Sequence, residues 1–192
     1  MPRPSDARSR LIRVAAALFR QRGYDGIGLA EILQASGAPK GSFYHHFPAG
    51  KEQLAEACIA HAGEQVGALI DAAMGEAPDF AAGVRRLVQS IADWFERSGF
   101  REGCPITSIA LATVPQSPAH TAAVRTAFAD WQERLIGHAR RLGAQVEPAD
   151  AERLLMLIEG AWILSRVRQS TEPLQRAAET FLAAPSGAIR AE

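Results

Sequence analysis

The chain has 192 residues, of which 47% are hydrophobic and 22% charged, with 21 basic and 21 acidic side chains. That balance excludes a disordered or strongly polyionic protein and allows one full core or two smaller ones. No apolar run approaches the roughly 20 residues that a bilayer crossing needs. Residues 1–10 lack the apolar centre of a secretory signal, and two cysteines, Cys58 and Cys104, are too few for a disulfide framework or a zinc cluster. The expectation is a cytoplasmic protein without a membrane partner.

The even charge total hides a segregation. Residues 1–51 carry eight basic side chains (Arg3, Arg8, Arg10, Arg13, Arg20, Arg22, Lys40, Lys51) against three acids (Asp6, Asp25, Glu31), and the remainder carries the matching acidic excess. A split of this kind suggests that one end faces a polyanion.

The periodicity is helical almost throughout. Leu11, Ala15, Leu18 and Phe19 share one face of a helix over 5–22, with Ser5 as its N-cap and Gly23 as its stop. A loop follows, then a short helix over 29–35 whose Leu29, Ile32 and Leu33 turn inward. Ser36-Gly37-Ala38 makes a tight corner in which Gly37 supplies the backbone freedom. Pro39 stands where a helix begins, because its missing N–H would be unpaired there anyway. Pro48 and Gly50 end that helix, and a long one runs over 51–74, with Leu54, Cys58 and Val66 toward the core.

Further helices are predicted over 79–97, over a small-residue stretch beginning at Pro105, and over 119–142, 149–169 and 174–184, each bounded by Pro or Gly. No alternating pattern suggests a strand. The fold class is therefore all-α with about nine helices, and the composition shift near residue 51 marks the boundary between segments 1–51 and 52–192.

Two short helices joined by a glycine-containing turn match the helix-turn-helix unit, which presents the start of its second helix to the DNA major groove. That start must be small, polar and basic for close approach. Lys40-Gly41-Ser42 supplies a cation, an absent side chain and a hydroxyl. Phe43 and Phe47, four residues apart, share an inward face, while Tyr44 and His45 point outward with groups able to bond phosphate oxygens. Lys51 opens the next helix, where its charge and the free N–H groups both favour an anion.

The stretch GIGLAEILQASGAPKGSFYHHFPAGKEQLA resembles the DNA-binding domain of TetR-family transcriptional regulators over about residues 8–60. The turn Ala38-Pro39-Lys40 and the later GCPITSIALAT are similar to the LmrA/YxaF-like subgroup. The resemblance implies a recognition helix over 39–47, with Lys40, Gly41, Ser42, Tyr44 and His45 facing a palindromic double-stranded operator and Lys51 clamping a phosphate. In place of the Thr with which many members begin the second helix, this chain has Gly28-Leu29, so a contact there comes from backbone N–H alone. The resemblance also implies a small hydrophobic or aromatic effector held after residue 78, for which Trp94, Ile109, Thr113, Phe128 and Trp131 are the candidate contacts. It implies a homodimer through the last two helices, with Leu154, Leu155, Ile158, Ala161 and Trp162 as interface candidates and Gly160-Ala161 permitting close approach.

Competing chemistry finds less support. Adjacent His45 and His46 point about 100° apart on a helix and cannot easily grip one ion; no His pair is spaced i, i+4 and no Glu-x-x-His occurs, so no metal and no cofactor are expected. Cys104 near a helix start would suit a thiol sensor, though a small buried thiol is the commoner use. No nucleophile elbow or phosphate-cradling loop is present, so no enzyme is expected. The alternative is a helical carrier for small molecules without DNA function, which accounts for the apolar helices but not for Lys40-Gly41-Ser42.

Overall fold

The structure, a computed structural model, describes residues 4–183, and among these it contains helices and no strand. In chain order they are α1 (Pro4–Arg22), α2 (Leu29–Ser36), α3 (Lys40–His46), α4 (Lys51–Gly75), α5 (Phe80–Arg97), α6 (Thr107–Thr113), α7 (Pro118–Arg141), α8 (Pro148–Arg168) and α9 (Glu172–Ala183). The predicted boundaries agree with these to within one or two residues for the paired elements. The Ser5 cap is the exception, since that side chain lies outside the described residues. No helix among those described is long and apolar enough to cross a membrane.

Local chemistry accounts for the stops. Gly23 follows α1 with φ of 76° and donates its N–H to the Phe19 carbonyl at 2.8 Å. Gly37 closes α2 with φ of 63°, a left-handed conformation in which a Cβ would be strained. Asp79 caps α5 by accepting the Ala82 N–H at 2.7 Å, satisfying a donor the first turn cannot.

Compactness divides the chain into two units. The first takes residues up to Glu64 together with Glu102–Phe128; the second takes Gln65–Arg101 and the chain from Ala129 onward. Partners distant in sequence draw the later segment into the first unit. Arg20 Nε donates to the Glu102 carboxylate at 3.1 Å, and α6 packs on α1. Where Gly63 meets Ala127, an added Cβ would stand 3.1 Å from the alanine methyl, so glycine allows a close approach of α4 and α7 there.

Leu11, Ala15, Phe19, Ile32, Phe43, Phe47, Leu54 and Cys58 form the core of the first unit, each at most 1% exposed. In the second unit, Val84, Leu87, Val88, Ile91 and Phe95 give α5 a continuous apolar stripe, and Leu174, Ala177, Ala178 and Phe181 do the same for α9. Helix α9 packs on both α5 and α8. The Arg85 guanidinium forks onto Glu179 at 2.7 and 3.1 Å across the α5–α9 seam. An exposed pair of this kind adds little stability, so the buried stripes carry the packing.

Candidate nucleic-acid interface

The α2–turn–α3 unit is closed by its own polar groups. Ser36 Oγ donates to the Leu33 carbonyl at 3.2 Å and accepts the Ala38 N–H at 3.4 Å. Gly28, in extended conformation, precedes α2 without a side-chain cap, and its carbonyl accepts the Ile32 N–H. Ile32 is fully buried, whereas Leu29 and Leu33 are half-buried.

Helix α3 is two-faced. Phe43 and Phe47 are buried with ring centroids 5.6 Å apart, and Tyr44 lies edge-on to Phe43 at 5.1 Å. These contacts fix how the helix is rolled. Lys40, Gly41, Tyr44 and His45 are then left exposed and Ser42 half-buried. Gly41 has open space around it: an added Cβ would meet no atom within 4 Å. Nothing inside the protein therefore requires a glycine at a helical position that alanine would stabilise. The Arg8 guanidinium, 5.6 Å above the Phe47 ring, adds a cation beside α3.

Lys51 is half-buried. Its Nζ donates to the Tyr24 carbonyl at 2.7 Å and stands 3.9 Å from the centroid of the Tyr24 ring. Burial lowers the Lys51 pKa, with the Asp25 charge opposing the shift. Burial also raises that of the Tyr24 hydroxyl, helped by the charges of Glu52 and Asp25. One of the three ammonium donors thus has a partner within the protein, and the expected phosphate clamp is an anchored cation rather than a free one.

Behind Lys51 lies a group that sequence reasoning missed. His120 is fully buried in the first turn of α7, and its Nε2 lies 2.8 Å from the Glu52 carbonyl. Ser117 Oγ donates to Glu52 Oε1 at 2.8 Å and accepts the His120 N–H at 3.3 Å. The only local signal was Ser117-Pro118, an N-cap followed by proline at N1.

The remaining expected sites are placed less simply. Ile109, Thr113 and Phe128 belong to the first unit, and Trp94 and Trp131 to the second. Ile109, Thr113 and Trp131 are buried, while Trp94 and Phe128 are half-buried. The Thr113 hydroxyl donates to the Ile109 carbonyl at 2.9 Å, so its proton is engaged by its own helix. Trp94 meets Trp162 edge-on at 5.9 Å, with Phe95 equally close to Trp162. Trp162 Nε1 and Ser165 Oγ are buried there without a hydrogen-bond partner.

The interface candidates on α8 are mostly turned inward. Leu154, Ile158, Ala161 and Trp162 are at most 8% exposed and fill the core of their own chain, and Leu155 is half-buried. The face left bare is a different one: Met156, Ile163, Leu164 and Val167 are 61%, 68%, 51% and 77% exposed. Exposed Gly160 lies on the same stripe, with open space where a Cβ would be. Apolar residues are spread around α8, and the helical period alone does not say which stripe faces inward.

A glycine-turned helix pair, a second helix locked by aromatic rings and a Lys-Gly-Ser start with Lys40 and Gly41 exposed define a helix-turn-helix DNA-binding protein. Residues 11–58 match the family of bacterial regulatory proteins called tetR, and residues 81–180 match the LmrA/YxaF-like C-terminal domain of transcriptional regulators. The chain belongs to the TetR family of transcriptional regulators. It is 32% identical over 171 residues to the HTH-type transcriptional regulator LmrA of Bacillus subtilis (strain 168), covering 88% of this chain and 91% of that one. It is 30% identical over 190 residues to the transcriptional regulator AcuR of Cereibacter sphaeroides, covering 94% and 85%. Among solved structures, the regulatory protein TetR from Rhodobacter sphaeroides superposes with a TM-score of 0.79 at 30% identity, covering 91% of this chain and 96% of that one. The regulator CifR, a cysteine mutant solved with 26-bp double-stranded operator DNA, superposes with a TM-score of 0.78 at 26% identity, covering 96% and 100%.

Proposed function

We propose that this regulator is a dimeric repressor that binds a palindromic operator through α3 and is released by a small apolar or aromatic molecule. The observation that carries the DNA reading is the outward face of α3. Lys40, Gly41, Tyr44 and His45 are exposed on a helix whose roll is fixed by Phe43 and Phe47. Lys40 at the helix start has the chemistry to read a base edge. Ser42, Tyr44, His45 and the anchored Lys51 suit phosphate oxygens. The operator-bound structure of CifR, a relative of similar fold, supports the same reading.

A second copy is the occupant we assign to the bare stripe of α8. A two-fold axis lets one apolar face cover its own image, and Gly160 permits the helices to approach closely. A dimer in turn matches two half-sites about one helical turn of DNA apart, or a multiple of it. For the effector, support comes from the aromatic rings around Trp162 and from the unpaired Trp162 Nε1 and Ser165 Oγ, polar groups that a small molecule with a hydrogen-bonding edge would satisfy. Release requires that the effector bind better to a conformation that binds DNA worse; DNA must then weaken effector binding by the same factor.

The deciding experiment is a fluorescence-anisotropy titration of the protein against DNA from upstream of its own gene, at two salt concentrations. Sequence-preferring binding whose logarithm falls linearly with log salt, at about −0.9 per phosphate contacted, is the expected result. A folded, dimeric protein that binds no DNA would instead favour the small-molecule carrier.

A further inference from the structure

We infer that His120, with Ser117, is a positioning residue for DNA binding: it fixes the first turn of α4 and thereby holds Lys51 where a phosphate would meet it. The inference rests on the DNA reading above but concerns a group that touches no DNA. All its parts lie within the first unit.

The geometry dictates the chemistry of the ring. A carbonyl oxygen can only accept, so His120 Nε2, 2.8 Å from the Glu52 oxygen, must carry the hydrogen. Nδ1 is buried with no hydrogen-bond partner. His120 is therefore held with its Nε2 hydrogen donating in one direction, to Glu52.

From there the contacts run to the interface in two strands. Through the backbone, the His120 bond fixes the Glu52 carbonyl in the first turn of α4, while Ser117 holds the Glu52 carboxylate at 2.8 Å. Through the rings, His120 meets Tyr24 at 6.1 Å and 75°, and Tyr24, which also packs on Phe19 at 5.4 Å, holds Lys51: the ammonium sits 3.9 Å from the ring centroid and 2.7 Å from the carbonyl. Tyr24 is thus packed between the histidine and the lysine. Removing the His120 bond frees the α4 turn and the Tyr24 ring together, and both bear on Lys51.

Lys40 and Lys51 are the only lysines in the chain, which gives a test that needs no DNA. Limited labelling with an amine-acylating reagent, read by mass spectrometry, reports Lys51 against exposed Lys40 as an internal standard. His120→Phe keeps the ring volume and removes the donor; His120→Gln places an amide N–H near the position of Nε2. The expected results are a several-fold rise of Lys51 labelling relative to Lys40 in H120F and a wild-type ratio in H120Q. Operator affinity should fall about tenfold in H120F, the scale of one lost hydrogen bond to a positioned group. It should return to within about threefold of wild type in H120Q, and the salt slope of H120F should be shallower by about 0.9 for each phosphate no longer contacted.

Labelling unchanged in a folded H120F would overturn the inference, as would H120Q failing as badly as H120F, because packing and not the hydrogen bond would then be at work. Should H120F not fold, Ser117→Ala removes the second hold on Glu52 and must raise Lys51 labelling in the same direction; an unchanged ratio there overturns the inference too. If the wild-type protein binds no operator, the DNA reading fails while the labelling ratio still decides whether His120 places Lys51.

Discussion

Gly41 separates what the fold needs from what a ligand needs. A Cβ there would meet nothing within 4 Å, and the residue sits in the first turn of α3, where glycine is a poorer helix former than alanine by up to about 1 kcal/mol. Gly41→Ala should therefore raise the thermal midpoint slightly, by an amount corresponding to about 0.5 kcal/mol. On the proposed reading it should at the same time weaken operator binding, because a methyl group occupies the space through which backbone approaches DNA. Changes of opposite sign in a melt and in an anisotropy titration would be hard to explain by folding alone. Operator affinity unchanged in G41A would remove Gly41 from the interface. Its neighbours divide by role. Tyr44→Ala should weaken binding about tenfold and evenly across operator variants, as loss of a phosphate contact does. Lys40→Ala should alter which variant is preferred, as loss of a base contact does. The same comparison of sequence panels checks both.

At the level of elements, short-range chemistry made the DNA-binding end readable from sequence. Gly23, Gly37, Pro39 and Pro48 each act within one turn of the chain, and the i, i+4 spacing of Phe43 and Phe47 already marks the inward face of α3. Where partners are distant, the sequence offered no such guide. Glu52 and His120 lie 68 residues apart, and no local pattern joins them. Helix α8 defeated the reading for another reason. It carries two apolar stripes, one of Leu154, Ile158, Ala161 and Trp162 and one of Met156, Ile163, Leu164 and Val167. Both satisfy a helical period, so only the packing of α9 and α5 identifies the buried one. On the proposed reading the bare stripe, rather than the buried one, meets a second copy, and a substitution tests it. Val167→Glu places a charge on the bare face while leaving the buried stripe intact. It should yield a monomer by analytical ultracentrifugation with helical content unchanged by circular dichroism. Ile158→Glu should instead unfold the second unit, since an unpaired carboxylate would be buried. If V167E remained dimeric, the bare stripe would not be the interface.

For the whole molecule, the excess of basic side chains in residues 1–51 and the bare stripe on α8 bear on one quantity, the affinity of two half-sites read together. A single α3 offers few polar groups, and base contacts are worth about 1–3 kcal/mol each. One protomer therefore has little affinity to divide between binding and discrimination. Joining two protomers makes the second half-site encounter intramolecular, which raises overall affinity by about 10²–10⁴ without any new contact to DNA. The monomeric V167E should accordingly bind a full palindrome about 10²–10⁴ weaker than the wild type. Its salt slope should be about half as steep, because only one set of phosphates is neutralised. On a single half-site the two proteins should be nearly equal per protomer, since α3 and Lys51 are unchanged. That last comparison carries the logic: loss confined to the palindrome assigns the α8 stripe to coupling two readers, whereas an equal loss on the half-site would mean that the substitution had reached the reading head itself.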